Sequence, residues 1–156
     1  MIKTSRGRRT EARRATLQAL YQWQITKLDP EYITFPEEWE FPAIDGDYFQ
    51  ELLREIPRCI EQLDARLTPV IDRPIHQIGP VERAILWIGA YELSYRPDVP
   101  WRVAVNEAVE LAKAFGPEQS HKYINGVLDK MVANSGIASR IEDTSDSPQD
   151  TSDSST

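Results

Sequence analysis

The chain has 156 residues, 40% of them hydrophobic, with four tryptophans and a formal net charge of −7. That is enough to bury the core of one domain without disulfides or metal, too little for two full catalytic domains, and too apolar for a wholly disordered chain. No uncharged apolar run approaches the ~18 residues of a membrane span, and the single cysteine, Cys59, excludes an internal disulfide framework and a cysteine-based zinc site, which predicts a reducing, cytoplasmic setting.

Residues 1–27 carry seven basic side chains against Glu11 alone. This basic segment runs into Glu11, Arg13 and Arg14 instead of an apolar stretch, which argues against a secretory signal. From about Ser5 it reads as a helix. Arg6, Arg9 and Arg13 recur at helical offsets, while Ala12, Ala15, Ala19, Leu20 and Trp23 supply an apolar face. Residues 28–51 reverse the sign, with eight acidic groups and no basic ones. Pro30, Pro36 and Pro42 interrupt any periodicity between Leu28 and Asp47, which predicts a long surface loop. Tyr48 to Ile56 and Arg58 to Leu67 predict two short amphipathic helices divided near Pro57, and Pro69, Pro74 and Gly79 punctuate a further short turn.

In the second half, Val81, Ala84, Ile85, Ile88, Glu92 and Tyr95 form a helical stripe interrupted by one carboxylate and ended before Pro97 and Pro100. Trp87, Tyr91 and Tyr95 are expected in the core or an interface. Ala104, Ala108, Leu111, Ala112 and Phe115 form the next stripe, with Gly116 in the position of a helix C-cap. Pro117 suits the start of a last helix whose core face is Ile124, Val127, Leu128 and Met131. Gly126 lies inside that helix, where glycine costs about 1 kcal/mol relative to alanine, so close helix packing is expected there. No run of alternating β-branched residues bounded by hairpin turns occurs, which makes the fold class all-α. Residues 141–156 carry five acidic groups and no basic one, with no apolar residue after Ile141. The expected organisation is one helical domain over 1–140 and a disordered acidic tail over 141–156.

Catalytic chemistry is hard to assemble from these residues. His76 and His121 are far apart, and the Glu118/His121 pair at i, i+3 lacks the second copy that a di-iron bundle uses. There is no phosphate-cradling glycine loop and no nucleophile elbow. Ser120 and His121 are consecutive, so along a helix their side chains diverge. No enzyme activity, cofactor or metal is expected. Two groups suit a polyanion instead. Arg6, Arg9 and Arg13, with Arg8 and Arg14 beside them, could neutralise phosphates at a helix N-terminus. Gln119, Lys122 and Tyr123 offer an amide for base edges, a cation for phosphate and a ring for stacking. The bland alternatives are a solvated surface helix and an ordinary exposed helix start. An acidic total does not exclude such a partner, because fields are screened within about 10 Å.

The stretch Val81 to Ala133, with its NEAVELAK and HKYINGVLDK segments, closely resembles the C-terminal half of the bacterial transcription antitermination factor NusB family, and Arg8 to Thr26 resembles its first helix. The resemblance implies two small helical bundles with about seven helices. It also implies single-stranded boxA RNA as ligand, bound together with ribosomal protein S10 (NusE) to nucleate an antitermination complex on RNA polymerase at ribosomal RNA operons. It leaves room for a homodimer of the free protein. The RNA contacts it implies map to Arg8, Arg9, Arg13, Gln119, Lys122 and Tyr123, and the RNA or S10 interface to Tyr21 and Glu82. Thr10 and Glu11 stand where the family often has arginines, and Gln119 where it often has an acidic residue. The rivals are a protein-binding helical module and the similar helical domain of RNA cytosine methyltransferases, which precedes a methyl-donor-binding domain absent from these residues.

Overall fold

The computed structural model describes residues 5–29 and 44–137. Their order is α1 (Ser5–Thr26), α2 (Gly46–Arg58), α3 (Ile60–Leu67), two 3-10 turns at Thr68–Val70 and Ile75–Gln77, α4 (Pro80–Tyr95), α5 (Trp101–Phe115) and α6 (Ser120–Ser135). The all-α class holds, with six α-helices among the described residues against about seven expected, and no strand among them. The expected acidic tail, most of the acidic loop and the side chain of Arg6 lie outside the described residues.

Helix α4 is the hub. Every residue from Ala84 to Leu93 is buried, as expected of a helix that is apolar almost all round. Helices α1 and α2 pack on each other and on α4, and α5 and α6 do the same from their side, so two small bundles share α4. Helix α3 closes the assembly against α4 and α6. Trp87 and Tyr91 are core residues, and their polar tips find acceptors: Trp87 Nε1 donates to Asp64 Oδ1 at 2.8 Å and Tyr91 Oη to Glu51 Oε2 at 2.7 Å. Among the described residues no helix is long and apolar enough to cross a membrane.

Several local boundaries differ from expectation for identifiable reasons. Asp45 caps α2, accepting from the Tyr48 N–H at 3.1 Å. The break expected near Pro57 falls at Cys59, because Pro57, one residue from the end of α2, removes only one ladder N–H while its neighbours keep theirs. Gly116 ends α5, yet its φ of −87° is not left-handed. Glycine is needed there because a Cβ would collide with Ser120 Oγ and lie 2.9 Å from the Ala112 carbonyl oxygen. Helix α6 begins at Ser120 and not at Pro117; Gln119, with φ 71°, turns the chain into it. The packing expected of Gly126 is overturned, since a Cβ there meets nothing within 4 Å. The close-packed glycine is Gly89 of α4, where a Cβ would lie 2.8 Å from Leu128 Cδ1 of α6.

Candidate nucleic-acid interface

The first turns of α1 carry the basic cluster to the edge of α2. Arg8 is exposed, and its guanidinium donates to the Ile44 carbonyl at 3.3 Å. Arg9 is half-buried, its Cζ 4.3 Å from the centroid of the Tyr48 ring. Its Nε lies 3.6 Å from Asp45 Oδ2 and its Nη1 3.7 Å from Asp98 Oδ2. These carboxylates hold Arg9 in place and partly neutralise it, so of the pair Arg8 is the more available to a phosphate.

Arg13 is not on this surface, which corrects its expected role as a phosphate contact. Its side chain is 1% exposed, with Nε 2.8 Å from Glu92 Oε2 and Nη1 3.3 Å from Glu107 Oε1. Tyr48 Oη donates to the same Glu92 oxygen, and Thr10 Oγ1 donates to Glu107 Oε1 at 2.9 Å. Burial alone works against the Arg13 charge, but Glu92, Tyr48 and Glu107 around it carry its pKa above the ordinary value. Burial raises Glu92 above the ordinary carboxylate range, opposed by Arg13 and Tyr48. Burial and the neighbouring Glu92 likewise push the Tyr48 phenol up. The helical offset that aligns Arg9 with Arg13 is real, but the stripe turns into the core within one turn. Arg14, the next residue, faces out. Its Cζ sits 5.0 Å from the centroid of the Phe115 ring, which is itself 43% exposed.

The start of α6 supplies the second group. Gln119 is exposed in a left-handed conformation, with no side-chain capping hydrogen bond. Lys122 is exposed and has no ion-pair partner among the described residues. Tyr123 is half-buried: its hydroxyl donates to Asp72 Oδ1 at 3.1 Å, and Arg73 Cζ lies 5.0 Å from its ring centroid. Arg73 also pairs with Asp72 at 2.8 Å and, through that hydrogen bond, holds the Asp72 carboxyl below its usual range. Burial and the hydrogen bond to Asp72 raise the Tyr123 phenol. Lys122, Tyr123, Gly126 and Lys130 form one wall of a cleft of about 300 Å³ against Ile71 and Asp72. Its missing Cβ makes Gly126 a flat spot on that wall, and a helical glycine with nothing packed against it is the local trace this surface leaves in the sequence. Asp72 and Arg73 were missed because their turn has no periodicity to place them beside Tyr123.

Arg14 on Phe115 carries α1 to the corner where α5 turns into α6. Arg8 and Arg9 instead reach Ile44, Asp45 and Asp98, so the structure does not merge the two expected groups into a single cluster. Tyr21 and Glu82 are both half-buried. Gln24 Nε2 donates to the Pro80 carbonyl at 2.8 Å, and the Trp23 and Trp87 rings lie 5.9 Å apart, which places the end of α1 beside the start of α4. Tyr21 thus lies on the helix end that meets the helix start carrying Glu82, and Ile25 and Leu28 are exposed at the end of α1 and just beyond it. Among the described residues no group of three or more His, Cys, Asp or Glu side chains could hold a metal ion.

The family model for NusB matches residues 10–133, which begins just after Arg8 and Arg9. The chain is 52% identical to the transcription antitermination protein NusB of Nitrosococcus oceani over 130 residues, covering 80% of this chain and 85% of that protein. It is 47% identical to the protein of the same name from Shewanella oneidensis and 45% to that from Shewanella amazonensis, in each case over 80% of this chain and 95% of the relative.

Proposed function

The chain belongs to the NusB family, and from that premise we propose that it is a cytoplasmic transcription antitermination factor that binds single-stranded boxA RNA together with ribosomal protein S10, within an RNA polymerase complex serving ribosomal RNA operons. Membership in a family of transcription antitermination proteins makes it a binding protein and not an enzyme. The observation that carries the RNA reading is the start of α6: an exposed Lys122 beside a Tyr123 ring held by Asp72 and Arg73, over the flat surface at Gly126. Lys122 neutralises a phosphate, Tyr123 offers a face to an unpaired base, and Asp72 accepts from a base amino group. Gln119 adds an amide at the helix start, and Arg8 offers a separate cationic contact on α1, with Arg9 and Arg14 partly neutralised beside Asp45, Asp98 and Glu11. S10 docks where the end of α1 meets the start of α4, through the Tyr21 ring with its polar tip and the Glu82 carboxylate, both half-buried, with Ile25 and Leu28 exposed at and just past the end of α1.

Affinity for boxA RNA, measured with and without S10, tests this function. Tight binding that deepens when S10 is present is the expected result, and S10-independent or absent binding contradicts it. Tyr21→Asp is expected to weaken S10 binding by at least ~2 kcal/mol with an unchanged melting temperature.

A further inference from the structure

Lys122 lines two clefts. Besides the one at Tyr123, it borders an open groove of about 420 Å³ between α5 and α6, to which Trp101, Arg102, Asn106, Lys113 and Asn125 also contribute. The two helices join through residues 116–119 and run back along each other, so the groove starts at Lys113 and Lys122 and reaches Trp101 about 18 Å away along α5. Its charge is opposite to that of the chain. Among the described residues that line it, Arg102, Lys113 and Lys122 stand with one carboxylate, Asp129, in a protein of net charge −7. Lys113 is engaged only loosely among the described residues: its ion pair with Glu110, at 3.5 Å, is more than half exposed at both ends, the kind of contact that water and salt weaken and a phosphate can replace. Arg102 Cζ lies 4.4 Å from the Trp101 ring centroid, making a combined aromatic and cationic platform. Asn106 and Asn125 add exposed amides able to donate and accept at base edges or ribose hydroxyls.

We propose that the α5–α6 groove is a second RNA subsite, taking nucleotides that continue past the segment held at Tyr123, with phosphates passing from Lys122 to Lys113 and Arg102. The proposal rests on RNA binding at the start of α6 and adds a surface that this reading leaves unused. Continuity through Lys122 and the reversal of charge favour an RNA strand over a protein segment.

The test uses the full chain with S10 and three RNAs: boxA alone, and boxA extended by four nucleotides at its 5′ or its 3′ end. One extension should raise affinity by about fivefold or more. The double variant Lys113→Ala/Asn106→Ala should lose that gain, with a salt slope shallower by about 0.7 on the extended RNA, while binding boxA alone and melting as the wild type does. A wild-type protein that gains nothing from either extension, or a variant that keeps the gain, overturns the subsite while leaving boxA binding intact. Failure to bind boxA alone overturns the RNA reading itself and the subsite with it. Hydrogen-exchange protection of residues 106–113 by S10 without RNA would assign the groove to a protein partner and likewise overturn the proposal.

Discussion

Arg13 Nε and Glu92 Oε2 lie 2.8 Å apart in the middle of the protein, joining α1 to α4 with both side chains 1% exposed. Glu107 and Thr10 extend the pair to α5, and Tyr48 extends it to α2, so four helices meet on one buried polar network. Removing one partner from such a pair strands a charge in a low-dielectric interior, whereas removing both together need not.

Arg13→Ala is therefore expected to destabilise the fold by ~3–5 kcal/mol, and Arg8→Ala to change stability by less than ~0.5 kcal/mol. The double change Arg13→Met/Glu92→Leu should recover part of the loss, the remainder reflecting the Tyr48 hydroxyl and Glu107 carboxylate that lose their partners with it. Denaturant unfolding of the four proteins checks this. An Arg13→Ala protein as stable as the wild type would show that Glu92 is not stranded without its partner.

The helices were legible because their apolar positions repeat at 3.6 residues, and the core residues Ile85, Ile88, Ile124 and Leu128 are among those the periodicity selects. The Arg13–Glu92 pair was not, although both halves left a trace. Glu92 is the one carboxylate on the apolar stripe of α4, and Arg13 follows Ala12 and precedes Ala15 and Thr16, all three buried. Each is an anomaly on its own helix, and the inference that two buried opposite charges must meet requires knowing that those helices pack. Tyr123 was singled out from its neighbours in sequence, but its hold on Asp72, 51 positions earlier, is tertiary. Gly126 looked like a packing glycine because sequence shows that glycine is tolerated without showing what stands opposite.

The two helical glycines should respond oppositely to alanine. Gly126→Ala adds a methyl to open space and is expected to stabilise by ~0.5–1 kcal/mol. Gly89→Ala drives a Cβ to 2.8 Å from Cδ1 of the fully buried Leu128, and the overpacking of ~1–3 kcal/mol outweighs the same helix-propensity gain, for a net loss of up to ~2 kcal/mol. Thermal melts of both variants settle the sign, and a stabilised Gly89→Ala would contradict the α4–α6 contact.

Asp98 predicts a specific acid response. Its two oxygens accept from Arg96 Nε and Nη2, each at 2.9 Å, and this hydrogen bonding, more than burial opposes it, lowers the carboxyl below its ordinary value in the folded state. A lowered folded-state pKa stabilises above the ordinary aspartate value, and the contribution fades as pH falls through the depressed one. Asp98→Asn should accordingly lower the melting temperature at neutral pH, with the difference from wild type shrinking as the solution is acidified. A difference that grows on acidification would reverse the assignment.

At the start of α6, Lys122→Ala should weaken RNA binding regardless of sequence and make its salt slope shallower by about 0.7. Tyr123→Ala should cost ~1–3 kcal/mol of RNA affinity. Titrations at several salt concentrations separate the two effects, and an unchanged affinity in both variants would show this corner to be an ordinary solvated surface.

The proposed role requires this chain, with S10 bound, to distinguish boxA from other single-stranded RNA. Its most direct test is the affinity of the S10-bound protein for boxA RNA against a scrambled RNA of the same length and composition at one salt concentration. A clear preference for boxA is expected; equal affinity for the two RNAs would rule out boxA recognition by this chain.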